Sequence, residues 1–376
     1  MGRLRVLVFA NSFRRGGSER QALELFRNLD RSKYDARLAT ASTDGPLQAL
    51  LPCHVEDVQV YPLVSFKDAS FVESAVRFYR YLRREQIDVV QCFDFYSNLF
   101  AIPVARMAQV PIVLGARREE STLKTPMQRR IQRWVYRLAK GVVANAGSIR
   151  DLLIKDEQLP PPSVWAIPNG LDLEVFDNAV TQSRCQRNEK LVQFAVIANL
   201  RPEKGHQIFL EAVARIAAQH PESRFLIAGE GPMRGAIETT IRRLRLEQTV
   251  ELVGEVQNVP AFLTAIDGVV LPSISNEGFP NAVMEAMAAS LPVVATDSGG
   301  TRDLVVEGET GFVVPTNNVG ALASKIEMLC RDKELRRKMG EAGRWRIATC
   351  FTTRHMARQY EALYEMLRAK SMIHSS

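Results

Sequence analysis

Cysteine is scarce in this chain of 376 residues, and long hydrophobic runs are missing. The five cysteines are odd in number and scattered, without a C-x-x-C pair, which argues against both a disulfide framework and a zinc site. No run of eighteen apolar residues is present, so the sequence predicts no membrane-spanning helix. The first apolar run, at residues 4–10, is too short for a signal peptide. Together these absences favour a cytoplasmic protein.

Positive charge is in excess and is concentrated in the first half of the chain. The net charge is +7; residues 1–176 hold 25 Lys+Arg against 19 Asp+Glu, and the remainder holds 24 against 23. Eight basic residues lie within 117–140, where PMQRRIQRWVYRLAK places apolar residues at helical spacing between arginines. This pattern is typical of a helix on an anionic membrane surface, and equally of a core-facing helix with a solvated basic face. No nucleic-acid-binding motif accompanies it, so we expect no nucleic-acid partner.

Short apolar runs alternate with helical patterns along the whole chain, which predicts parallel sheets flanked by helices. We expect an α/β protein with one doubly wound domain over residues 1–176, a polar linker over 177–190 and a second doubly wound domain over 191–352. Residues 353–376 begin as a long amphipathic helix that needs a surface to pack on. The predicted strands are 4–10, 36–41, 87–92, 112–115, 141–144 and 164–167, then 191–198, 224–228, 250–253, 268–271, 292–295 and 311–314.

Two carboxylates stand out in the segment NEGFPNAVMEAMAASLPVVATDSGGT, which covers 276–301. Glu285 is surrounded in sequence by alanine, valine and methionine, so a helix here would bury it. A buried carboxylate without a partner costs on the order of several kcal/mol, and the sequence offers no cation nearby, which points to a ligand rich in hydroxyl groups. Glu277 lies eight residues earlier, and Pro280 suits the first turn of a helix, so Glu277 is expected in the loop before that helix.

This E-x7-E segment, with PVVATDSGG after it, resembles the donor-site signature of retaining glycosyltransferases of the GT-B fold, family 4 in particular. IPNGLDLEVF, LRPEKGHQIFLEA, IAGEGP and GETGFVVP resemble further landmarks of that family in the expected order, so the resemblance covers nearly the whole chain. It implies two Rossmann-like domains facing a central cleft, with the terminal helix returning to the first domain. It also implies a metal-independent reaction without a bound cofactor, which agrees with the lack of a D-x-D motif.

The resemblance implies roles for residues of the second domain. Arg201 and Lys204, in the loop after that domain's first strand, correspond to the pair that binds the donor diphosphate. Glu277 corresponds to the residue that binds hydroxyl groups of the transferred sugar, and Glu285 to the one that binds the ribose. The remaining implied contacts are backbone amides at a helix start and residues near the nucleotide base: Gly278, Phe279, Pro280 and Asn281 for the former, Gly231 and Val256 for the latter.

Candidate residues of the first domain lie just after its predicted strands. Gly16 and Gly17 open a helix, where glycine lets a ligand approach the backbone, and the resemblance places them opposite the donor phosphates. The histidines usual in the family are missing here, and the matching stretches contain Asp94 and Arg117. Both are candidates for contacting the sugar or acceptor. Arg117 could stabilise charge on the leaving phosphate but is too basic to act as a general base. His206 is expected only to begin a helix.

The sequence therefore predicts a retaining glycosyltransferase that moves a sugar from a nucleotide-sugar donor, expected to be UDP-linked, to a saccharide or lipid-linked acceptor. The basic first domain favours cell-surface polysaccharide or lipopolysaccharide assembly, with peripheral association to the inner face of the plasma membrane through residues 117–140. Two alternatives stay open: a nucleotide-sugar epimerase on the same fold, and a non-catalytic membrane-associated subunit of a glycosylation complex. Nothing in the sequence indicates a particular oligomeric state.

Overall fold

The chain folds into two compact units. A computed structural model describes residues 2–14, 16–51, 57–63, 69–120, 124–182, 190–275 and 277–373. One unit comprises Met1–Gly170 together with Thr353–Ser376, and the other comprises Leu171–Thr352. The first unit therefore ends at Gly170 and not at residue 176, where the sequence analysis placed the boundary.

Each unit is built on one parallel sheet, and the strands are numbered in chain order. The first sheet contains β1 (Leu4–Ala10), β2 (Tyr34–Thr40), β3 (Gln59–Val60), β4 (Val89–Cys92), β5 (Ile112–Arg117), β6 (Gly141–Ala144) and β7 (Val164–Ala166), in the spatial order β3-β2-β1-β4-β5-β6-β7. The second contains β8 (Val192–Ile197), β9 (Ser223–Ala228), β10 (Val250–Gly254), β11 (Gly268–Leu271), β12 (Val293–Thr296) and β13 (Gly311–Val314), in the order β10-β9-β8-β11-β12-β13. The predicted α/β class with two doubly wound sheets is confirmed.

Helices cover the sheets and are also numbered in chain order. They are α1 (Gly17–Asn28), α2 (Ala69–Arg84), α3 (Phe95–Met107), α4 (Pro126–Leu138), α5 (Gly147–Lys155), α6 (Leu173–Gln182), α7 (His206–Ile216), α8 (Arg234–Arg243), α9 (Val259–Leu263), α10 (Asn281–Ala288), α11 (Thr301–Leu304), α12 (Val319–Arg331), α13 (Lys333–Cys350) and α14 (Thr353–Ile373). Within the part of the chain that the structure describes, we find no helix that could span a membrane.

The first sheet is covered on both faces because side chains alternate along a strand. Val6 and Val8 of β1 pack in a core with α1 and α14, which contribute Phe26 and Tyr364. Leu7 and Phe9 of the same strand point the other way, into a core with α2, α3 and α4. Helix α14 therefore packs in the first unit although it is the last element of the chain. Helices α2, α3 and α4 form the layer on the other face of that sheet.

The expected linker is shorter than the sequence suggested. Helix α6 extends to residue 182, with Phe176 buried at 3% exposure. Asp177 Oδ2 lies 2.6 Å from an Arg344 amino group of the same unit. Residues 177–182 are therefore helical, and their polar composition reflects a mostly exposed helix. Residues 183–189 lie outside the described part of the chain.

Strand order reverses beside the first strand of each sheet. β1 lies between β2 and β4, and β8 lies between β9 and β11. In doubly wound sheets, ligands bind outside the carboxyl ends of the strands at such a switch point, because the connections on either side diverge and leave a crevice. The loops after β1 and β4, and after β8 and β11, are therefore the places to look for a site.

Candidate functional site

The switch point of the second sheet brings together two loops that contain predicted site residues. Arg201 and Lys204 follow β8, and Glu277 follows β11. Lys204 Nζ lies 2.6 Å from Glu277 Oε1, and the Ser273 hydroxyl donates to the same oxygen at 2.6 Å. Residues that the sequence analysis proposed separately, 73 positions apart, thus form one ion pair.

Burial differs among these three charged residues. The side chain of Glu277 is 8% exposed and that of Lys204 is 22% exposed, while Arg201 is exposed. A carboxylate removed from water is tolerated when it is paired and hydrogen-bonded, and Lys204 and Ser273 meet that need. The arrangement offers an anion two cations, and it offers hydroxyl groups a carboxylate beside them.

The backbone around Glu277 is held by the two glycines after β12. Gly299 has φ +56°, and a Cβ there would overlap the backbone carbonyl of Glu277. The Gly300 amide donates to the Gly278 carbonyl at 2.6 Å. Phe279 is 3% exposed, and its ring centroid lies 5.2 Å from that of Phe351. The loop is thus fixed from both sides, and the close approach to Glu277 explains why residue 299 is glycine.

Helix α10 begins at Asn281, with Pro280 at the N-cap position and no side-chain cap. Its first amides therefore receive no side-chain acceptor from the cap residue, as an anion-binding helix start requires. Glu285 lies inside this helix and is 8% exposed, as its apolar surroundings predicted. Glu285 is not without a partner in the protein. The burial of Glu285 therefore does not require a hydroxyl-rich ligand, and the assignment of Glu285 to the ribose stays a prediction.

His206 begins α7, as the sequence analysis expected, and it also supports the turn that carries the two cations. It is 4% exposed, and burial lowers the pKa of His206 to about 4, with the charge of Lys204 adding to the effect and a hydrogen bond to the Arg201 backbone opposing it. The ring is thus neutral at physiological pH. Gly205 before it has φ +68°, where a side chain would overlap the Pro272 carbonyl.

Two other predicted residues lie on neighbouring loops at the same edge of this sheet. Gly231 follows β9 and has φ +158°; a Cβ there would lie 2.9 Å from the Leu200 amide nitrogen. Val256 follows β10 and is half-buried. Their contact with a base stays a prediction. Among the described residues, no group of three or more His, Cys, Asp or Glu side chains could hold a metal ion.

In the first unit, the expectation for Arg117 is wrong. It ends β5 and is 3% exposed, and its guanidinium lies 2.9 Å from Glu157 Oε1. It also donates to the Glu119 carbonyl at 3.0 Å and to the Glu120 carbonyl at 2.5 Å. Because these partners occupy the guanidinium inside the unit, Arg117 is a structural residue and does not offer its charge to a ligand.

Asp94 and Gly16 lie where predicted, after β4 and β1, but their contacts are within the protein. Asp94 is the N-cap of α3 and accepts from the Ser97 amide at 2.9 Å and the Asn11 amide at 3.0 Å. Burial raises the pKa of Asp94, against the effect of these hydrogen bonds. Gly16 precedes α1, and the space beside it is filled by the Glu19 carboxylate. Gly17 is the exposed first residue of α1. A donor contact by either glycine stays a prediction.

Two charged residues of the first unit were missed by the sequence analysis. Glu19 lies in the first turn of α1, and burial raises the pKa of Glu19 to about 7. Arg118 lies directly after β5, and burial lowers the pKa of Arg118. Glu19 lies two residues after the predicted Gly17, and Arg118 directly follows the predicted Arg117. The available signal was position after a strand, which does not distinguish adjacent residues.

Comparison with known proteins agrees with this fold. The model of Glycosyltransferase Family 4 matches residues 15–175, and that of Glycosyl transferases group 1 matches residues 181–346. The chain is 26% identical over 339 residues to the UDP-Gal:alpha-D-GlcNAc-diphosphoundecaprenol alpha-1,3-galactosyltransferase of Escherichia coli, covering 85% of this chain and 86% of that protein. It is 28% identical over 277 residues to the alpha-D-kanosaminyltransferase of Streptomyces kanamyceticus, covering 71% and 68%.

Solved structures show the same architecture. HepE of Anabaena, crystallised with UDP and glucose, superimposes with a TM-score of 0.83 at 19% identity, over 96% of this chain and 99% of that one. Sucrose-phosphate synthase of Thermosynechococcus elongatus superimposes with a TM-score of 0.80 at 19% identity, over 98% and 100%. With both halves matched by family models and the whole chain matched in fold, the protein belongs to the family 4 glycosyltransferases of the GT-B fold.

Proposed function

We propose that the protein transfers a sugar, with retention of anomeric configuration, from a UDP-linked donor to a lipid-linked saccharide in cell-surface polysaccharide or lipopolysaccharide assembly. The observation that carries the proposal is the pair Lys204–Glu277 at the switch point of the second sheet, beside the exposed Arg201. The relative from Escherichia coli supports both substrates, because its name specifies UDP-Gal and a diphosphoundecaprenol-linked GlcNAc.

The chemistry follows from where charge develops. As the bond from the anomeric carbon to the diphosphate oxygen breaks, negative charge grows on the diphosphate, and fixed cations there lower the barrier. Arg201 and Lys204 supply those cations. The departing diphosphate oxygen takes the proton of the acceptor hydroxyl, whose oxygen bonds to the anomeric carbon from the same face. No enzymic base is required, and Glu277 accepts hydrogen bonds from hydroxyl groups of the transferred sugar.

A screen of nucleotide sugars by thermal shift tests the donor. A ligand that binds the folded state raises the apparent stability, so UDP-sugars are expected to raise the melting temperature and GDP- and ADP-sugars to have much smaller effects. The variant Lys204→Met is expected to lose the shift, whereas the exposed lysine variant Lys338→Met, remote in sequence from the site, keeps it. The donor assignment would be refuted if none of the UDP-sugars raised the melting temperature. It would also be refuted if they raised the melting temperature of Lys204→Met as much as that of wild type.

Product analysis tests the reaction. UDP-galactose and GlcNAc-α-diphosphate on a short alkyl chain are the first pair to incubate, followed by the other UDP-sugars. We expect a disaccharide whose new anomeric proton shows the α-coupling of the donor in NMR. A β-linked product would overturn retention. An altered nucleotide sugar formed without acceptor would establish the epimerase, and donor binding without turnover of any acceptor would favour the non-catalytic subunit.

We propose that the protein associates peripherally with the membrane through the exposed face of α4, which is only part of the predicted range 117–140. Helix α4 buries Val135 at 2% exposure but exposes Met127, Ile131 and Trp134 at 69%, 40% and 57%. Among its basic residues, Arg133 is tied to Glu157 at 2.9 Å, while the exposed arginines are Arg129, Arg130 and Arg137. One face of α4 thus packs on the core, and the other combines apolar and basic side chains, as interfacial helices do. This supports a location at the inner face of the plasma membrane.

A further inference from the structure

The switch point of the first sheet holds charged side chains from three elements. Glu19 comes from the first turn of α1, after β1. Asp94 caps α3, after β4, and Arg118 follows β5. Asp94 and Arg118 both act electrostatically on Glu19, with opposite signs. The place corresponds to that of Lys204 and Glu277 in the second unit, where the strand order also reverses.

The Glu19 carboxylate is folded back over Gly16. If Gly16 carried a Cβ, its three nearest atoms would all belong to that carboxylate, and Oε2 and Cδ would overlap with it. The backbone does not require glycine, because Gly16 has φ −139° and ψ 150°, an extended conformation that any residue adopts. Glycine at this position therefore serves the placement of the carboxylate.

Helix capping does not explain this placement. A carboxylate in the first turn favours a helix through the unpaired amides, and an exposed one does so at no desolvation cost. Glu19 accepts from its own backbone amide, yet burial outweighs that contact and raises the pKa of Glu19 to about 7, with Asp94 adding and Arg118 opposing. A carboxylate that titrates near neutrality, at the switch point of a doubly wound sheet, is the pattern of a substrate-binding group.

Arg118 is arranged to act on Glu19 through its charge. Its amino groups donate to Asn169 Oδ1 at 2.6 Å and to the Tyr360 hydroxyl at 3.0 Å. The guanidinium lies over the Phe93 ring, 4.4 Å from its centroid, and the buried Nε has no partner among the residues that the structure describes. Neutral groups thus hold the cation in position, and within the described chain its charge is not cancelled by a directly bonded carboxylate.

We propose that Glu19 contacts the acceptor saccharide by accepting a hydrogen bond from one of its hydroxyl groups, and that Arg118 is the positioning residue that keeps this carboxylate ionised. The inference rests on the proposed transfer reaction and names the residue of the first unit that binds its second substrate. An ionised carboxylate accepts stronger hydrogen bonds than a neutral carboxyl group, which gives Arg118 its importance.

The variants Gly16→Ala and Glu19→Ala test the contact with UDP-galactose and the alkyl-diphosphate GlcNAc acceptor. Gly16→Ala keeps the charge and the backbone but displaces the carboxylate. Each variant is expected to lower kcat/KM for the acceptor 10- to 100-fold, and Glu19→Ala is expected to leave the KM for the donor within twofold of wild type. The double variant is expected to match Glu19→Ala alone, because both changes remove the same contact. Asp151→Asn, an exposed acid on α5, is the charge control and is expected to be unaffected.

The pH profile tests the role of Arg118. Ionised Glu19 binds the acceptor, so kcat/KM for the acceptor is expected to fall as the pH drops below about 7. Arg118→Gln removes a charge that lowers the pKa of Glu19, so this limb should move to higher pH. Arg118→Lys should return this limb most of the way to its wild-type pH. Glu19→Gln should abolish the limb. A merely structural Arg118 would lower activity without moving the limb.

The results separate this inference from the proposed function. Unchanged acceptor KM and kcat in Glu19→Gln and Gly16→Ala, with normal donor binding, would overturn the inference alone. The same holds if Gly16→Ala and Glu19→Ala lower activity additively. Loss of UDP-sugar binding in the wild-type protein would overturn the proposed function instead. If Glu19→Ala does not fold, Gly16→Ala and Glu19→Gln still provide both readouts.

Discussion

Lys204 and Glu277 are each other's partner, so replacing one affects both stability and activity. Lys204→Met leaves a carboxylate of 8% exposure without its cation, and breaking such a pair costs about 3 kcal/mol. We expect Lys204→Met to be less stable than the double variant with Glu277→Gln, because the double variant removes the uncompensated charge. Lys204→Met, Glu277→Gln and the double variant should all lose most transfer activity. Urea unfolding of wild type, the two single variants and the double variant measures their stabilities, and transfer assays measure their activities.

The exposed pair Arg337 and Glu334, 2.6 Å apart on α13, is the matched control. Exposed ion pairs contribute little to folding stability, so Arg337→Met and Glu334→Gln should leave both stability and transfer unchanged. If the double variant at Lys204 and Glu277 recovered transfer as well as stability, the pair would be a structural bridge and not a binding site.

His206 makes a pH-dependent contribution to stability. Its pKa is about 4 when folded and 6.5 unfolded, so the unfolded state binds more protons between these values. The stability due to its neutral ring is complete above pH 6.5 and is lost as the pH falls towards 4, by roughly 3 kcal/mol at most. Wild type should therefore lose stability relative to His206→Gln between pH 7 and 4.5. Urea unfolding at several pH values measures the difference.

The stability of wild type must be compared with that of His206→Gln at each pH, because Glu19 changes the stability in the opposite direction as the pH changes. Its pKa is raised on folding to about 7, so its contribution falls as the pH rises towards 7. The exposed His355→Gln is the control and should track wild type. A constant difference between wild type and His206→Gln across the range would contradict the assignment of the shift to His206.

The sequence predicted where site residues lie along the sheet edge but not the direction of each side chain. Lys204, Glu277 and Ser273 are at one site because loops after neighbouring strands meet at one edge, which the strand pattern indicated. The sequence could not tell which of Arg117 and Arg118 pairs inside the unit, because neighbouring side chains point in different directions. The sequence placed both near the end of β5, but the direction of each side chain depends on tertiary partners such as Glu157 and Tyr360.

At the scale of elements, the turn after β12 positions the loop before α10. Gly299 has φ +56° with no room for a Cβ beside the Glu277 carbonyl. Gly299→Ala must therefore strain the turn or displace the loop, at a cost of about 1–3 kcal/mol. We expect a loss of transfer activity larger than this stability change explains, because Glu277 moves away from Lys204. Donor thermal shifts and transfer rates measure it.

Gly235→Ala in α8 is the control glycine. A Cβ there meets nothing within 4 Å, and alanine in a helix is favoured over glycine by roughly 0.5–1 kcal/mol. It should raise stability slightly and leave transfer unchanged. Full activity in Gly299→Ala would show that the turn does not position Glu277.

Element prediction succeeded where burial on both faces of a parallel strand produces a continuous apolar run. β1, β6, β11 and β13 begin and end at the predicted residues. β3 was missed because two residues carry no period, and residues 177–182 of α6 were assigned to the linker because an exposed helix has little apolar pattern. The burial of Glu285 was predicted from its neighbours, but the partner of a buried group in the fold could not be.

For the whole molecule, exposed apolar side chains are concentrated on one helical layer. Eight of the eleven exposed large hydrophobic residues in the described chain lie on α2, α3 and α4: Val72, Val76, Tyr79, Tyr96, Met107, Met127, Ile131 and Trp134. These three helices also hold nine arginines against the single acidic residue Glu73. The net charge of the layer thus exceeds the +7 of the whole chain. The surface proposed on α4 therefore extends to α2.

Binding to anionic vesicles should depend on both helices. A basic residue near a charged bilayer contributes about 1 kcal/mol, so Arg129→Gln with Arg130→Gln should weaken binding to phosphatidylglycerol vesicles about 30-fold. Arg80→Gln with Arg84→Gln on α2 should weaken it similarly, and both effects should shrink in high salt because exposed charges are screened. Trp134→Ala should weaken binding at all salt concentrations, since it removes apolar contact. Sedimentation with vesicles measures each.

The control is a pair of exposed basic residues on the second unit, Arg331 and Lys338, at 62% and 67% side-chain exposure. Replacing both with glutamine removes the same charge from the protein but not from the layer, so binding should stay within about threefold of wild type. If this control lost as much binding as the α2 and α4 variants, attraction would depend on net charge alone. Strong binding to neutral phosphatidylcholine vesicles would contradict the electrostatic part, and an unchanged Trp134→Ala would contradict the apolar part.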